Sequence, residues 1–314
     1  MTNQTGLPRV SVVIPAYRRA EGVGRALDSI RESRLDPSDI EVIVVDNASG
    51  DGIERVVDAR RDAFPRLEFR TWPENVGPLE NWRRGINLAT APWLKIIWSD
   101  DSIEPNALAN LLEAAERNDA CVVTCRAAVD YPDGRSVSRY LDRPTTLTPD
   151  IVISELLHFP AGLPSSPGAA LIRTSDAREA LAGDLPDVCW DKAIGPDLLM
   201  TYWGVFTGGV GVHLPDVLAR FSAGDDSITV RTPRAVLSSC YCAAMSSLLG
   251  LTTSPISITT QRRLRSRAAL DERLGGEPSA LITPRRLSLR ATAYDSYQIG
   301  RHWFESRVLR RHTI

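Results

Sequence analysis

Apolar and polar positions along the chain follow two spacings in turn. Val10 to Ile14 form a β-branched run that Pro15 stops, the pattern of a buried parallel strand. Val23, Ala26, Leu27 and Ile30 then share one helical face, and Ile40 to Val45 makes a second apolar run ending at Asp46, so the segment predicts a βαβ unit. The alternation continues through a helix at Ile53, Val56 and Val57, a strand at Leu67 to Phe69, a helix carrying Leu79, Trp82 and Ile86, and a strand at Trp93 to Trp98. Pro105 opens a further helix with Leu108, Leu111, Leu112 and Ala115 on its buried face, before a strand at Ala120 to Thr124. Repeated alternation of this kind predicts an α/β fold, a Rossmann-like, mostly parallel sheet covered by helices.

After Ala127 the rhythm breaks. Tyr131-Pro-Asp-Gly134 reads as a hairpin turn, Ile151 to Phe159 as a helix introduced by Thr148 and Pro149, and Gly168 to Arg173 and Val210 to Leu214 as strands. The expected organisation is a ligand-binding half over residues 1–127, a second half of the same domain over 128–232, and an Arg-rich helical C-terminal extension over 233–314.

Composition narrows the function classes. The 39 acidic residues nearly balance 37 basic ones, and the net charge of -2 gives no reason to expect a nucleic-acid or anionic-membrane partner. Five cysteines lack both zinc-site spacing and the density of a disulfide scaffold, which fits a reducing cytoplasm. The N-terminus has no apolar signal core, and residues 235–251 carry too many serines to be expected to span a bilayer, so no integral membrane segment is expected. A homo-oligomer stays open.

In open parallel sheets, ligands bind beyond the carboxyl ends of the strands, where loops are free to vary and helix N-termini offer unpaired N–H groups. Those ends carry Pro15-Ala16-Tyr17-Arg18, Asp46-Asn47-Ala48-Ser49 and Ser99-Asp100-Asp101. An aromatic loop and two carboxylate-rich loops along one edge suit a nucleoside diphosphate, with a wall for the base, an acceptor for its N–H groups or the ribose, and ligands for a divalent cation on the phosphates.

At these residues the chain resembles the family 2 glycosyltransferases. Val10-Ser-Val-Val-Ile-Pro-Ala-Tyr17, Val44-Val-Asp46-Asn-Ala-Ser49, Asn75-Val-Gly77 with Asn81-Trp82, and Ile97-Trp-Ser-Asp100-Asp101 follow the family pattern in order. The resemblance implies a GT-A fold and an inverting hexosyltransferase-type reaction. Its donor would be a UDP, dTDP or GDP sugar and its acceptor a carbohydrate or a specialised metabolite. Pro15, Ala16, Tyr17, Arg18, Asp46, Asn75, Gly77, Ser99 and Asp100 would bind the nucleotide, and Asp100 and Asp101 would hold Mg²⁺ or Mn²⁺. Trp98 departs from the family, standing where the first carboxylate of the metal motif is common. Asp197, in Ile194-Gly-Pro-Asp197, resembles the acidic residue that heads a helix in the acceptor half and acts as general base; Asp187 and Asp191 compete for that role. Arg220 to Ser227 resembles the loop closing near the diphosphate, which makes Arg220 a phosphate contact.

Two other classes compete. A nucleotide-binding module of this fold without transferase activity accounts for Trp98. A nucleotidyltransferase usually shows a Gly-rich, Lys-containing loop after its first strand, and Ala16-Tyr17-Arg18 holds that place here.

Overall fold

The computed structural model describes residues 6–273 except 159, 160, 184, 225 and 226. The strands are β1 (Val10–Ala16), β2 (Ile40–Asp46), β3 (Leu67–Thr71), β4 (Trp93–Ile96), β5 (Ser102–Ile103), β6 (Val122–Asp130), β7 (Ser136–Arg139), β8 (Thr145–Leu147), β9 (Ala170–Arg173) and β10 (Gly211–Ser222). Helices α1 (Ala20–Arg31), α2 (Ile53–Asp58), α3 (Pro78–Leu88) and α4 (Ala107–Arg117) connect the first half. Further along come α5 (Pro149–Leu156), α6 (Thr174–Ala180), α7 (Asp187–Lys192), α8 (Pro196–Phe206), α9 (Ile228–Arg231), α10 (Arg234–Leu251) and α11 (Ile258–Arg273). The part of the expected helical extension beyond 273 lies outside the described residues.

The strands form one sheet in the order β3-β2-β1-β4-β9-β6-β10-β5, with β7 beside β6 and β8 beside β10. The longest ladders are parallel: β1 with β2, β2 with β3, and β6 with β10. Reversal comes at β9, antiparallel to both β4 and β6. The expected boundary at 127/128 falls inside β6, so the two halves share a strand.

Alternate residues of each inner strand feed opposite layers. Val13, Ile43 and Val45 join a core with α3, α8 and α10, while Val10, Val12, Ile14, Val42 and Val44 join another with α1 and α4. Burial on both faces is why these strands read as unbroken apolar runs. Each fully buried Val, Leu or Ile contributes roughly 1.5–3 kcal/mol relative to exposure.

Pro15 does not stop β1, which continues to Ala16. Ile97 N–H donates to Val13 O, so odd-numbered residues of β1 face β4, and the β4 ladder ends at Val13 opposite Ile96. The next rung would need the N–H that Pro15 lacks, so the β4 ladder ends there while the β2 ladder runs on to Ala16. The Tyr131 to Gly134 turn closes the β6–β7 hairpin as expected, and Thr148 caps α5 through its side chain.

Among the described residues, α10 is the one helix long and apolar enough to cross a membrane by length and composition. One side of it packs in the core through Cys240, Cys242, Ala243, Ala244, Met245 and Leu248.

Candidate active site

The carboxyl edge of the sheet gathers the loops as expected. Pro15 and Ala16 are buried and paired with Val45 and Asp46, forming a floor. Above it Tyr17 is 40% exposed, with the Arg18 guanidinium 5.1 Å from its ring centroid. Arg18 has a φ of 53°, a conformation costly for a residue with a Cβ, and its N–H is held by Ser49 Oγ at 2.7 Å.

Asp46 is buried and committed to its own loop. It accepts from the Ser49 N–H and hydroxyl, and from Thr71 Oγ1 at 3.0 Å. Asn47 ties this loop to the next: its Nδ2 donates to Asn75 Oδ1 (3.0 Å) and Gly77 O (3.1 Å), and its Oδ1 accepts from Val76 N–H at 2.9 Å. Asn75 Oδ1 also accepts from Gly77 N–H at 2.9 Å. Asn75 and Gly77, expected as nucleotide contacts, therefore serve here as the brace between the loops after β2 and β3. A cavity of about 470 Å³ is lined by residues 50–55, Phe69 and Thr71; neither Tyr17 nor Asp100 is among its lining residues.

The two aspartates expected as a metal pair occupy different environments. Asp101 is buried and its Oδ1 accepts from Ser222 N–H at 3.0 Å, while Ser222 Oγ donates to Asp100 O at 2.7 Å. Burial, with the Asp100 charge beside it, holds the Asp101 carboxyl well above the usual carboxylate range. Asp101 thus clamps the loop to β10 through one oxygen, and differs in exposure from Asp100, with which it was expected to share a metal. Asp100 remains a quarter exposed, 4.0 Å from Arg19 Nη2. Under this loop, buried Lys95 donates to Ile96 O (3.0 Å) and to Gly168 O, and burial pushes its amine down to about 8. Trp98 packs on Trp82 with centroids 4.7 Å apart and donates to Ser166 Oγ at 2.9 Å. Where a carboxylate is common in the family, this chain has a packing residue. Among the described residues no cluster of three His, Cys, Asp or Glu side chains could hold a metal. A divalent ion taking most of its oxygens from a diphosphate and water still fits the single open carboxylate, Asp100.

Arg220, expected as a phosphate contact, is engaged by two carboxylates. Its Nε and Nη2 grip Asp130 at 2.9 and 2.7 Å and its Nη1 donates to Glu104 at 2.9 Å, so the fork is spent on neighbouring strands and loop. Asp225 and Asp226 of the same loop lie outside the described residues.

Asp197 stands in the first turn of α8, after Gly195 at a φ of 102°. Its Oδ1 accepts from Gly195 N–H at 2.8 Å and its Oδ2 from Tyr241 Oη at 2.9 Å. Burial pushes its carboxyl up to about 6 against the pull of these hydrogen bonds. Its competitors Asp187 and Asp191 are exposed on α7. The Tyr140 phenol lies within electrostatic reach of both Asp101 and Asp197, and burial raises its pKa. Tyr140 also holds a φ of 73°, imposed from both sides: Arg139 pairs with Ala127, and Leu141 N–H donates to Gly162 O at 3.0 Å.

The sequence model of Glycosyl transferase family 2 matches residues 11–175, which covers every loop just described up to β9 and half of the chain. The chain belongs to this family. Among similar curated proteins, succinoglycan biosynthesis protein ExoO of Rhizobium meliloti is 29% identical over 147 residues, 47% of this chain and 41% of the relative. Abequosyltransferase RfbV of Salmonella typhimurium is 36% identical over 104 residues, 32% of this chain and 31% of the relative. The chain spans less than half the length of such curated relatives. Among solved structures, S. aureus TarS 1-349 in complex with UDP-GlcNAc superposes with a TM-score of 0.63 at 16% identity, covering 82% of this chain and 70% of that one. Mannosyltransferase PcManGT from Pyrobaculum calidifontis, in complex with GDP-Man and Mn2+, gives a TM-score of 0.53 at 18% identity over 93% of this chain and 80% of that one. These likenesses establish the GT-A type of fold.

Sequence reasoning missed Lys95, Asn47, Tyr140 and Tyr241. Lys95 did leave a signal, a lone cation inside the apolar run Trp93-Leu-Lys-Ile-Ile97. Tyr241 left none, because its partner Asp197 is 44 positions away.

Proposed function

We propose that this chain is an inverting glycosyltransferase that moves a sugar from a nucleoside-diphosphate sugar to an acceptor hydroxyl, with Asp197 as general base. The observation carrying this reading is the buried Asp197 carboxylate in the first turn of α8, its pKa moved toward neutrality and its two oxygens oriented by Gly195 and Tyr241. A base poised near the working pH accepts a proton efficiently while remaining ionised. Relatives named as transferases and fold neighbours holding UDP-GlcNAc or GDP-Man support the donor class.

In this mechanism Tyr17 stacks on the nucleotide base over the Pro15–Ala16 floor. The Asp46 and Asn47 loop keeps its wall in place, with Arg18 beside it. Asp100 would hold Mg²⁺ or Mn²⁺, which when bound neutralises charge on the diphosphate. The acceptor hydroxyl gives its proton to Asp197 as its oxygen bonds to the anomeric carbon, and the bond to the diphosphate breaks on the opposite face. A carboxylate has about four acceptor positions, so Asp197 keeps capacity for the acceptor after Gly195 and Tyr241 are served. The proposed setting is the cytoplasm, since five cysteines fall short of the density of a disulfide scaffold.

The test is a panel of UDP, dTDP and GDP sugars, each with Mn²⁺ or Mg²⁺. Thermal stabilisation reads binding, and single-turnover transfer to carbohydrate and metabolite acceptors reads activity. Asp100→Asn should lose the metal-dependent part of donor binding. Stabilisation by a donor without transfer to any acceptor would favour the binding module over the enzyme.

A further inference from the structure

The helix α10 begins well beyond the span that matches the family, residues 11–175, yet it reaches the centre of the proposed chemistry. It packs along α8, and its backbone comes up against the loop that introduces Asp197: a Cβ on Gly195 would lie 3.2 Å from Cys240 O and 3.5 Å from Ala244 Cβ. The next residue after Cys240 is Tyr241, whose hydroxyl donates to Asp197 Oδ2 at 2.9 Å. Ser165, just ahead of the turn at Pro167–Ala169, hydrogen-bonds the same phenol. Close backbone approach, a left-handed glycine and a buried side-chain relay meet at one carboxylate, one oxygen held by Gly195 and the other by Tyr241.

We infer that Tyr241 is a positioning residue for sugar transfer, delivered by α10 to fix the orientation of Asp197 and to favour its ionised form, an inference that rests on the reading of Asp197 as the general base. A rigid ring with one hydroxyl fixes the carboxylate plane, because Gly195 N–H holds one oxygen and Tyr241 the other. Two fixed contacts leave the unused lone pairs pointing in a defined direction, toward an acceptor hydroxyl. The phenol donates to the charged carboxylate and opposes the effect of burial. The titratable and polar groups around Asp197 are Tyr241 from α10, Tyr140 after β7, Ser165 before the Pro167–Ala169 turn, and the amides of Gly195 and Leu198 at the head of α8.

The experiment compares Tyr241→Phe, Asp197→Asn and the double variant. Removing the hydroxyl while keeping the ring should raise the Asp197 pKa by on the order of one pH unit, since a hydrogen bond to the charged form is lost. The acid limb of single-turnover transfer then moves up by the same amount, with binding of UDP-GlcNAc or GDP-mannose in Mn²⁺ unchanged. A substrate-free reading runs beside it. The stability gain from Asp197→Asn grows with pH and levels off near the folded pKa of Asp197, so in the Tyr241→Phe background it should level off at higher pH. Movement of both quantities supports the proposal. A transfer limb that stays in place in Tyr241→Phe, while Asp197→Asn abolishes transfer, overturns the role of Tyr241 and leaves the base reading intact. Transfer at the parental rate in Asp197→Asn removes the base reading, and the proposal with it. If Tyr241→Phe does not fold, Ser165→Ala, which weakens the phenol as a donor, should move both quantities the same way by less; unmoved values there overturn it.

Discussion

Asp197 sits where the protein works against its charge, and that has a cost in stability as well as a use in catalysis. Its pKa rises from 3.8 to about 6 on folding, so the native state binds the proton more tightly than the unfolded chain. The penalty is absent below the unfolded value, grows as pH rises between the two, and is complete above about 6. Asp197→Asn should therefore stabilise the protein by roughly 2–3 kcal/mol at pH 7.5, with no gain near pH 3.5, as read by denaturant titration at both pH values. The same variant should transfer sugar ~10²- to 10⁴-fold more slowly, the loss typical of a missing general base. At the donor end, Tyr17→Ala should weaken binding of a free nucleoside diphosphate by roughly 1–3 kcal/mol, the range for a base stacked on an aromatic ring; calorimetry with nucleotide alone checks it. The place of Tyr17 and Asp100 in strand-end loops was legible because strand ends are visible as breaks in apolar runs. The separate fates of Asp100 and Asp101 were not, since the partner that turns Asp101 inward is the backbone of Ser222, far along the chain. The pairing of Arg220 was hidden for a related reason: its carboxylate partners, Asp130 and Glu104, come from other segments.

At the level of elements, α1 sets the position of the Ser99–Asp100 loop. A Cβ on Gly22 would lie 2.0 Å from Ser99 O, too close for any relaxed structure, whereas one on Gly24 would meet mainly the Arg60 and Val56 side chains at 3.2 Å or more. Gly22→Ala should destabilise the protein by about 1–3 kcal/mol through overpacking and reduce metal-dependent donor binding, because the Asp100 loop must move aside. Gly24→Ala should be close to neutral, since the gain of ~1 kcal/mol in helix propensity offsets a small side-chain adjustment. Thermal melts with and without donor distinguish the two. Helices α1, α3 and α4 were readable from their stripes, which the sheet buries at helical spacing. Short strands β5, β7 and β8 were not, because their residues are partly exposed and their pairing depends on partners elsewhere in the chain.

On the scale of the molecule, the parallel half and the half carrying Asp197 are joined through β9, whose Arg173 and Ile172 pair with Trp93 and Leu94 of β4 on one side and whose Ile172, Leu171 and Ala170 pair with β6 on the other. Alternation of strands and helices announces the parallel half. A reversal of direction at β9 leaves no mark in an apolar run, so the antiparallel joint could not be read in advance. During synthesis that joint imposes an order of events. By the time α4 has left the ribosome, β1 to β4 are complete, but the strand that covers the outer edge of β4 is still tens of residues from being made. For that interval the nascent protein presents an unpaired, apolar strand edge, the kind of surface that templates aggregation and attracts chaperones. A polypeptide stopped at Arg117 should accordingly accumulate as insoluble material, whereas one reaching Arg273 should not; the soluble fraction of each after expression at equal levels is the measurement.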